Sequence, residues 1–242
     1  AHLGRNVMAG SVDRVRELGQ SIWYDNISRG MIKSGELKRL VDMGVSGLTS
    51  NPTIFEKAIA QGKDYDEVIL DFLSSGKGVD EAYEALVVQD IRDAADLLRH
   101  VYDRTDGADG YASLEVNPHL AHDTDKTVSE AERLFSELDR PNVMMKVPAT
   151  PEGMPAIRRL IGEGININVT LIFSLNAYRD VRQAYMAGLE DLSMVGGDLS
   201  SVSSVASGAS SPASASSPLP TSASRVTDTI RSSSERSNSV TP

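Results

Sequence analysis

The chain is 242 residues long, enough for one or two domains, and its 34 acidic and 24 basic side chains leave a formal net charge of −10. That balance, with a pI near 4.9, argues against a basic nucleic-acid footprint, and the absence of cysteine excludes disulfides and thiolate metal sites. No signal-like segment and no apolar run of about 18 residues is present, so the sequence reads as soluble, cytoplasmic and free of the membrane.

Ala1 stands where an initiator methionine would, which predicts further residues upstream, and residues 1–20 read as a lead-in helix. Strand-like apolar runs that end in polar residues then alternate with helical stretches. The runs cover 22–25, 45–50, 111–116, 142–148 and 166–173. Val87, Ile91, Ala94, Ala95 and Leu98 recur at helical spacing on one face, which places Asp90, Arg92, Asp93 and Arg99 on the solvated face. Residues 127–138, 151–161 and 174–192 are further predicted helices, the second with Thr150 as cap and Pro151 at its first position.

Strands alternating with helices imply βα units on a parallel sheet. Five strands in the first 173 residues fit an open doubly wound sheet or a barrel. No Gly-x-Gly-x-x-Gly follows a strand, so the dinucleotide-binding alternative lacks its phosphate loop. Polar residues inside the strands favour, among these α/β folds, a barrel whose lumen holds the chemistry; with the family resemblance given below, that barrel is of the (β/α)8 type and incomplete here, with about five to six strands. Catalytic groups in such barrels come from the C-terminal ends of several strands.

The most informative residue is Lys146, inside the apolar run Asn142-Val-Met-Met-Lys-Val-Pro-Ala-Thr150. Burial disfavours the charged form of an amine and leaves a nucleophile able to form Schiff bases with carbonyl substrates. The segment also fits an edge strand whose lysine head reaches solvent along its stem. Glu115, between Leu114 and Val116, is the second costly position, because an unpaired carboxylate in mid-strand loses its hydration. A Glu115–Lys146 ion pair across neighbouring strands would neutralise both. Asn168 and Thr170 share one strand face by alternation. Asn51 before Pro52 reads as a turn starter or a site residue, and Asp25 as a helix cap or a site residue. His119 and His122 lack a third ligand in motif spacing and read as surface-loop residues, so neither metal nor cofactor is expected.

Six segments together resemble the transaldolase family in its bacterial subgroup. They are Ser21-Ile-Trp-Tyr-Asp-Asn-Ile-Ser-Arg29, Gly47-Leu-Thr-Ser-Asn-Pro-Thr-Ile-Phe55, Ser113-Leu-Glu-Val116, Leu120-Ala-His-Asp-Thr124, Met145-Lys-Val-Pro-Ala-Thr-Pro-Glu-Gly153 and Asn166-Ile-Asn-Val-Thr-Leu-Ile-Phe-Ser174. The likeness runs over roughly residues 15 to 207. It implies a (β/α)8 barrel and a transferase of the pentose phosphate pathway that moves a dihydroxyacetone unit between sugar phosphates through a lysine Schiff base. It further implies Lys146 as nucleophile on the ketose C2 carbonyl and Asp25 as acid/base at the C4 hydroxyl. Glu115 would shuttle protons through a water held by Thr170, with Asn51, Asn168 and Ser207 binding the substrate. Sugar phosphates are the implied partners; the oligomeric state stays open.

The implied division is a lead-in helix at 1–20, a partial barrel at 21–207 and a serine-rich tail at 208–242. Gly196 to Ser207 still resembles the approach to the family's sixth strand, but Pro212 stands where a phosphate-binding arginine is expected. Serine-dominated composition buries too little apolar surface to offset chain entropy, so the tail is expected to be disordered and the sixth strand to fail. The barrel would then stay open, leaving this chain with little or no transaldolase activity. The abrupt change inside a motif reads as a shifted frame or an aberrant gene end. Three functions therefore stand: transaldolase, a related Schiff-base aldolase that releases dihydroxyacetone, and an inactive truncated remnant serving at most as an interaction module.

Overall fold

The computed structural model describes residues 14–15, 18–76, 78–206 and 224–225. Of the expected lead-in helix only Arg14 and Val15 fall in a helix among them. The strands are β1 (Trp23–Tyr24), β2 (Gly47–Thr49), β3 (Tyr111–Glu115), β4 (Val143–Pro148), β5 (Ile167–Thr170), β6 (Ser204–Ala206) and β7 (Ser224–Arg225). They form one sheet in chain order, parallel from β1 to β6, with β7 antiparallel to β6. Sequential parallel order is the order of a barrel wall, and among the described residues the sheet is open, with β1 paired to β2 alone. The helices are α1 (Arg29–Lys33), α2 (Glu36–Asp42), α3 (Pro52–Gln61), α4 (Asp66–Ser74), α5 (Val79–Arg104), α6 (Thr124–Leu138), α7 (Gly153–Gly162) and α8 (Leu175–Met194).

Period-two alternation sorts the strand residues into two layers. Leu48, Ala112, Leu114, Val143, Met145, Val147, Ile167 and Val169 join the main core with the inward stripes of the helices, such as Ile91, Ala94 and Leu98 of α5. Tyr111, Met144 and Val205 form a second cluster with Trp23 and Tyr102, on the opposite face of the sheet. Gly47 makes room there: a Cβ at this position would lie 2.4 Å from the Trp23 ring on the neighbouring strand. Lys146, Glu115 and Asn168 alternate onto this second, lumenal face.

Four sequence expectations need correction. Asp90, placed on the solvated face of its helix, is fully buried because Arg29 and Tyr65 reach it: Arg29 Nε donates to its Oδ1 at 2.8 Å and the Tyr65 hydroxyl to its Oδ2 at 2.8 Å. The run 166–173 ends as a strand at Thr170, because Leu171 takes a left-handed φ of 61° that no strand continues. The helix expected from Pro151 is counted from Gly153, although Thr150 Oγ1 still accepts from the Gly153 N–H at 3.0 Å as a cap would. The sixth strand does not fail. Asn166 Oδ1 accepts from the Ser203 N–H at 2.8 Å, Val202 and Val205 are buried, and Ser204 to Ala206 pair with β5. Within the tail expected to be disordered, Ser224–Arg225 pairs with β6; the rest of 208–242, Pro212 included, lies outside the described residues.

Buried asparagines tie the strand entrances together. Asn142 Nδ2 donates to the carbonyls of Ala95 and Gly110 at 2.7 and 2.8 Å, and Asn166 Nδ2 to those of Pro141 and Val143, both at 3.1 Å. On the outside, burial and the neighbouring Glu132 carboxyl push the Glu163 carboxyl above its ordinary range. A carboxyl whose folded pKa is raised binds its proton more tightly in the native state, so stability falls as pH rises from the ordinary glutamate range through that raised value. Urea titrations should therefore find Glu163→Gln at least as stable as the parent at pH 7. The margin should shrink toward pH 4; a loss at pH 7 would rule out this repulsion.

Candidate active site

β4 lies between β3 and β5, and the register sets Glu115, Lys146 and Asn168 side by side on three adjacent strands. Lys146 is therefore not an edge-strand lysine reaching into solvent: it is only 7% exposed. Its ammonium donates to the Ser50 carbonyl at 2.7 Å and to Glu115 Oε2 at 3.3 Å. A buried cation needs a counter-charge and hydrogen-bond acceptors; Glu115 supplies the charge, and both groups accept from the ammonium. The expected Glu115–Lys146 pair is thus present. Burial, with the charges of Glu56 and Glu115, also holds the nearby Tyr83 phenol above its usual range.

Beneath the lysine runs a chain of hydrogen bonds through two serines that the sequence reading did not single out as site residues. Ser50 Oγ donates to the Ser113 carbonyl at 2.9 Å, and Ser113 Oγ donates to the Leu48 carbonyl at 3.3 Å. Asn168 Nδ2 donates to Ser113 Oγ at 3.1 Å, reaching across β4 to β3. The polar floor therefore stitches β2, β3 and β5 under the β4 lysine. Ser113 was detectable, since it sits two residues before Glu115 and so on the same face; Ser50 was not, because its contact to Lys146 is made by its main chain.

The remaining expected residues are placed as follows. Asn51 is half-buried and caps α3, its Oδ1 accepting from the Ile54 N–H at 3.0 Å with Pro52 next in the helix. Asn51 is thus a helix cap and not a turn starter, one residue from the carbonyl on Lys146. Asp25 is exposed, one residue past the C-terminal end of β1; it does not cap α1, because Ser28 does. Thr170 ends β5 opposite Pro148, and its carbonyl accepts from the Ala149 N–H at 2.9 Å. Neither Asp25 nor the Thr170 side chain hydrogen-bonds Lys146 among the described residues. Ser207 lies outside those residues. His122 is exposed, with Nδ1 3.2 Å from Glu152 Oε2.

A buried lysine on a central parallel strand, with a carboxylate and an amide beside it at matched register, is a constellation that comparison with known proteins can place. Residues 22–236 match the model of the transaldolase/fructose-6-phosphate aldolase family. The chain belongs to that family. Transaldolases of Saccharopolyspora erythraea and Thermobifida fusca are each 50% identical to it, over 198 and 201 residues, covering 81% and 83% of this chain but 54% and 55% of theirs. That of Trichodesmium erythraeum is 51% identical over 194 residues, 80% of this chain and 51% of its own. The chain spans about half the length of the curated relatives it matches. The family match runs on into the serine-rich stretch, beyond Ser207 where the residue-level resemblance stops.

In this member of the family the serine floor is a structural dependency. Ser113→Ala removes the acceptor of Asn168 Nδ2 and the donor to the Leu48 carbonyl at a site without solvent. Losing two buried hydrogen bonds costs about 1–3 kcal/mol. A loss of about 2 kcal/mol in urea unfolding, with unchanged far-UV circular dichroism, is the expected outcome; an unchanged midpoint would show that the two groups find other partners.

Proposed function

We propose that the chain is a transaldolase, moving a three-carbon dihydroxyacetone unit from a ketose phosphate to an aldose phosphate by way of a Schiff base on Lys146. The observation that supports this most is the buried Lys146 ammonium, held between the Ser50 carbonyl and the Glu115 carboxylate. Passing one ammonium proton to Glu115 leaves a neutral amine whose lone pair can add to the ketose C2 carbonyl. Loss of water from the carbinolamine needs a proton delivered to the departing oxygen, and Glu115, acting through a water near Thr170, is the group in reach. The resulting iminium accepts the electron pair of the C3–C4 bond as Asp25 takes the proton of the C4 hydroxyl. The aldose phosphate leaves and an enamine remains on Lys146. An acceptor aldehyde then takes the enamine carbon, and the steps run in reverse.

Asn168, adjacent to Lys146 in register, offers both a donor and an acceptor to the hydroxyls of the three-carbon unit, and Asn51 stands at the same end of β2. Asp25 is exposed at the C-terminal end of β1, the end from which barrel enzymes draw their catalytic groups. Ser207, next after β6, completes the proposed substrate contacts. The matching family includes fructose-6-phosphate aldolases, which supports a second reading in which the enamine is protonated and dihydroxyacetone released. The names of the relatives favour transfer. Either reaction suits the cytoplasm, where phosphorylated sugars are retained by their charge.

Borohydride reduction in the presence of fructose 6-phosphate tests the shared step. The expected product is a secondary amine on the peptide containing Lys146, absent from Lys146→Ala, with trapping about 100-fold slower in Glu115→Gln, as for loss of one general acid–base group. Equal labelling of Lys146→Ala would remove the assignment. Adding erythrose 4-phosphate then separates the two readings, since only transfer consumes it.

A further inference from the structure

The Lys146 chemistry leaves unused a second buried polar cluster, built from Arg29, Tyr65 and Asp90. Its three members hydrogen-bond one another. The Tyr65 hydroxyl accepts from the Arg29 backbone N–H at 2.8 Å and donates to Asp90 Oδ2 at 2.8 Å. Asp90 Oδ1 takes both Nε and Nη2 of Arg29, each at 2.8 Å, and the guanidinium lies over the Tyr65 ring 4.9 Å from its centroid. Arg29 is 8%, Tyr65 1% and Asp90 0% exposed. A buried ion pair of this kind seldom adds net stability, and holding a segment in place is one use for it.

Geometry supplies one. Arg29 is the first residue of α1 and lies four positions after Asp25, and the intervening segment is held at Ile27, which is buried in the core. On its other side the same segment meets open space: Asn26, Ser28 and Gly30 line a groove of about 500 Å³ together with Lys57, Gln61 and Asp64. Packing therefore restrains the Asp25 segment from one side only, and the Tyr65–Asp90 pair grips its far end through both main chain and side chain. We propose that Tyr65 and Asp90 are positioning residues that fix the Asp25-bearing segment relative to Lys146, and so serve carbon–carbon cleavage and not Schiff-base formation. This rests on the function proposed above.

Tyr65→Phe is the sparing variant, because it keeps the ring under the guanidinium and deletes only the hydroxyl. In the 242-residue chain, amide hydrogen exchange should speed at least tenfold across Asp25–Arg29 in this variant, with β3–β5 unchanged. Borohydride trapping of fructose 6-phosphate on Lys146 should stay within twofold of the parent, while release of the aldose phosphate falls tenfold or more. In an Asp25→Asn background the same change should cost less than twofold, since the residue being positioned is already lost. Equal slowing of trapping and cleavage, or an undiminished loss in the Asp25→Asn background, would reduce the cluster to general stability and overturn the proposal. Unchanged exchange across Asp25–Arg29 would overturn it whatever the kinetics. A parent chain that traps nothing at Lys146 would remove the function reading and the catalytic consequence together, and exchange alone would then decide whether the anchor exists.

Discussion

A positive charge held inside a parallel sheet is the constraint around which the lumen is arranged. Lys146 sits on a central strand, where its side chain is almost wholly buried, so the neighbouring strands must supply acceptors at the right height. Parallel pairing without a slip does this, since Glu115 of β3 and Asn168 of β5 fall level with it. A one-residue shift of β3 would turn Glu115 toward the helices and bring Leu114 to the lysine, stranding one charge in the core and the other in the lumen. The Ser50 carbonyl comes from the turn into α3, which ties the position of that helix, capped by Asn51, to the same ammonium.

Much of this was legible in the sequence because it is written in local pattern. The apolar runs ending in polar residues located the first five strands to within a few residues, and the 3.6-residue stripe on α5 picked out side chains that are all buried. A lysine and a glutamate inside apolar runs were enough to predict their pairing. The overrun of β5 has a local cause of a different kind: Leu171-Ile-Phe173 continues the apolar pattern, and only the backbone turn at Leu171, with φ 61°, breaks it. Helices α1 to α4 carried no such clear stripe, and none of them was anticipated.

What pattern could not reveal are polar groups whose partners are far away in sequence. Asp90 occupies a helix position that periodicity assigns to solvent, yet its partners lie 25 and 61 residues back. Asn166 reads as one more polar residue at the start of a strand-like run, while its amide joins three strand entrances through Pro141, Val143 and Ser203. That amide also explains the survival of β6, which composition alone condemned. A strand of three residues has little propensity to rely on, but it needs little once the Ser203 N–H just before it is claimed and Val205 is covered. Tertiary partners overrule composition at such points because a satisfied buried hydrogen bond avoids a desolvation penalty larger than the propensity deficit.

The two buried ion pairs answer the same electrostatic problem with opposite consequences. Asp90 is enclosed by donors on both oxygens; burial holds its carboxyl above the ordinary range, while the short contacts from Tyr65 and Arg29 oppose that rise and fix its place. The Glu115–Lys146 contact is longer, at 3.3 Å, and engages one carboxylate oxygen, while the Ser50 carbonyl takes the shorter bond to the ammonium. The proposed proton transfer would leave these surroundings in place, because a neutral amine still has the Ser50 carbonyl to donate to. In the proposed reaction the iminium formed on that nitrogen would again carry a positive charge, and a carboxylate at this distance would stabilise it while it draws electrons from the breaking bond. The rigid pair thus suits holding a segment in place, and the looser pair suits chemistry in which charge must appear and disappear on one nitrogen.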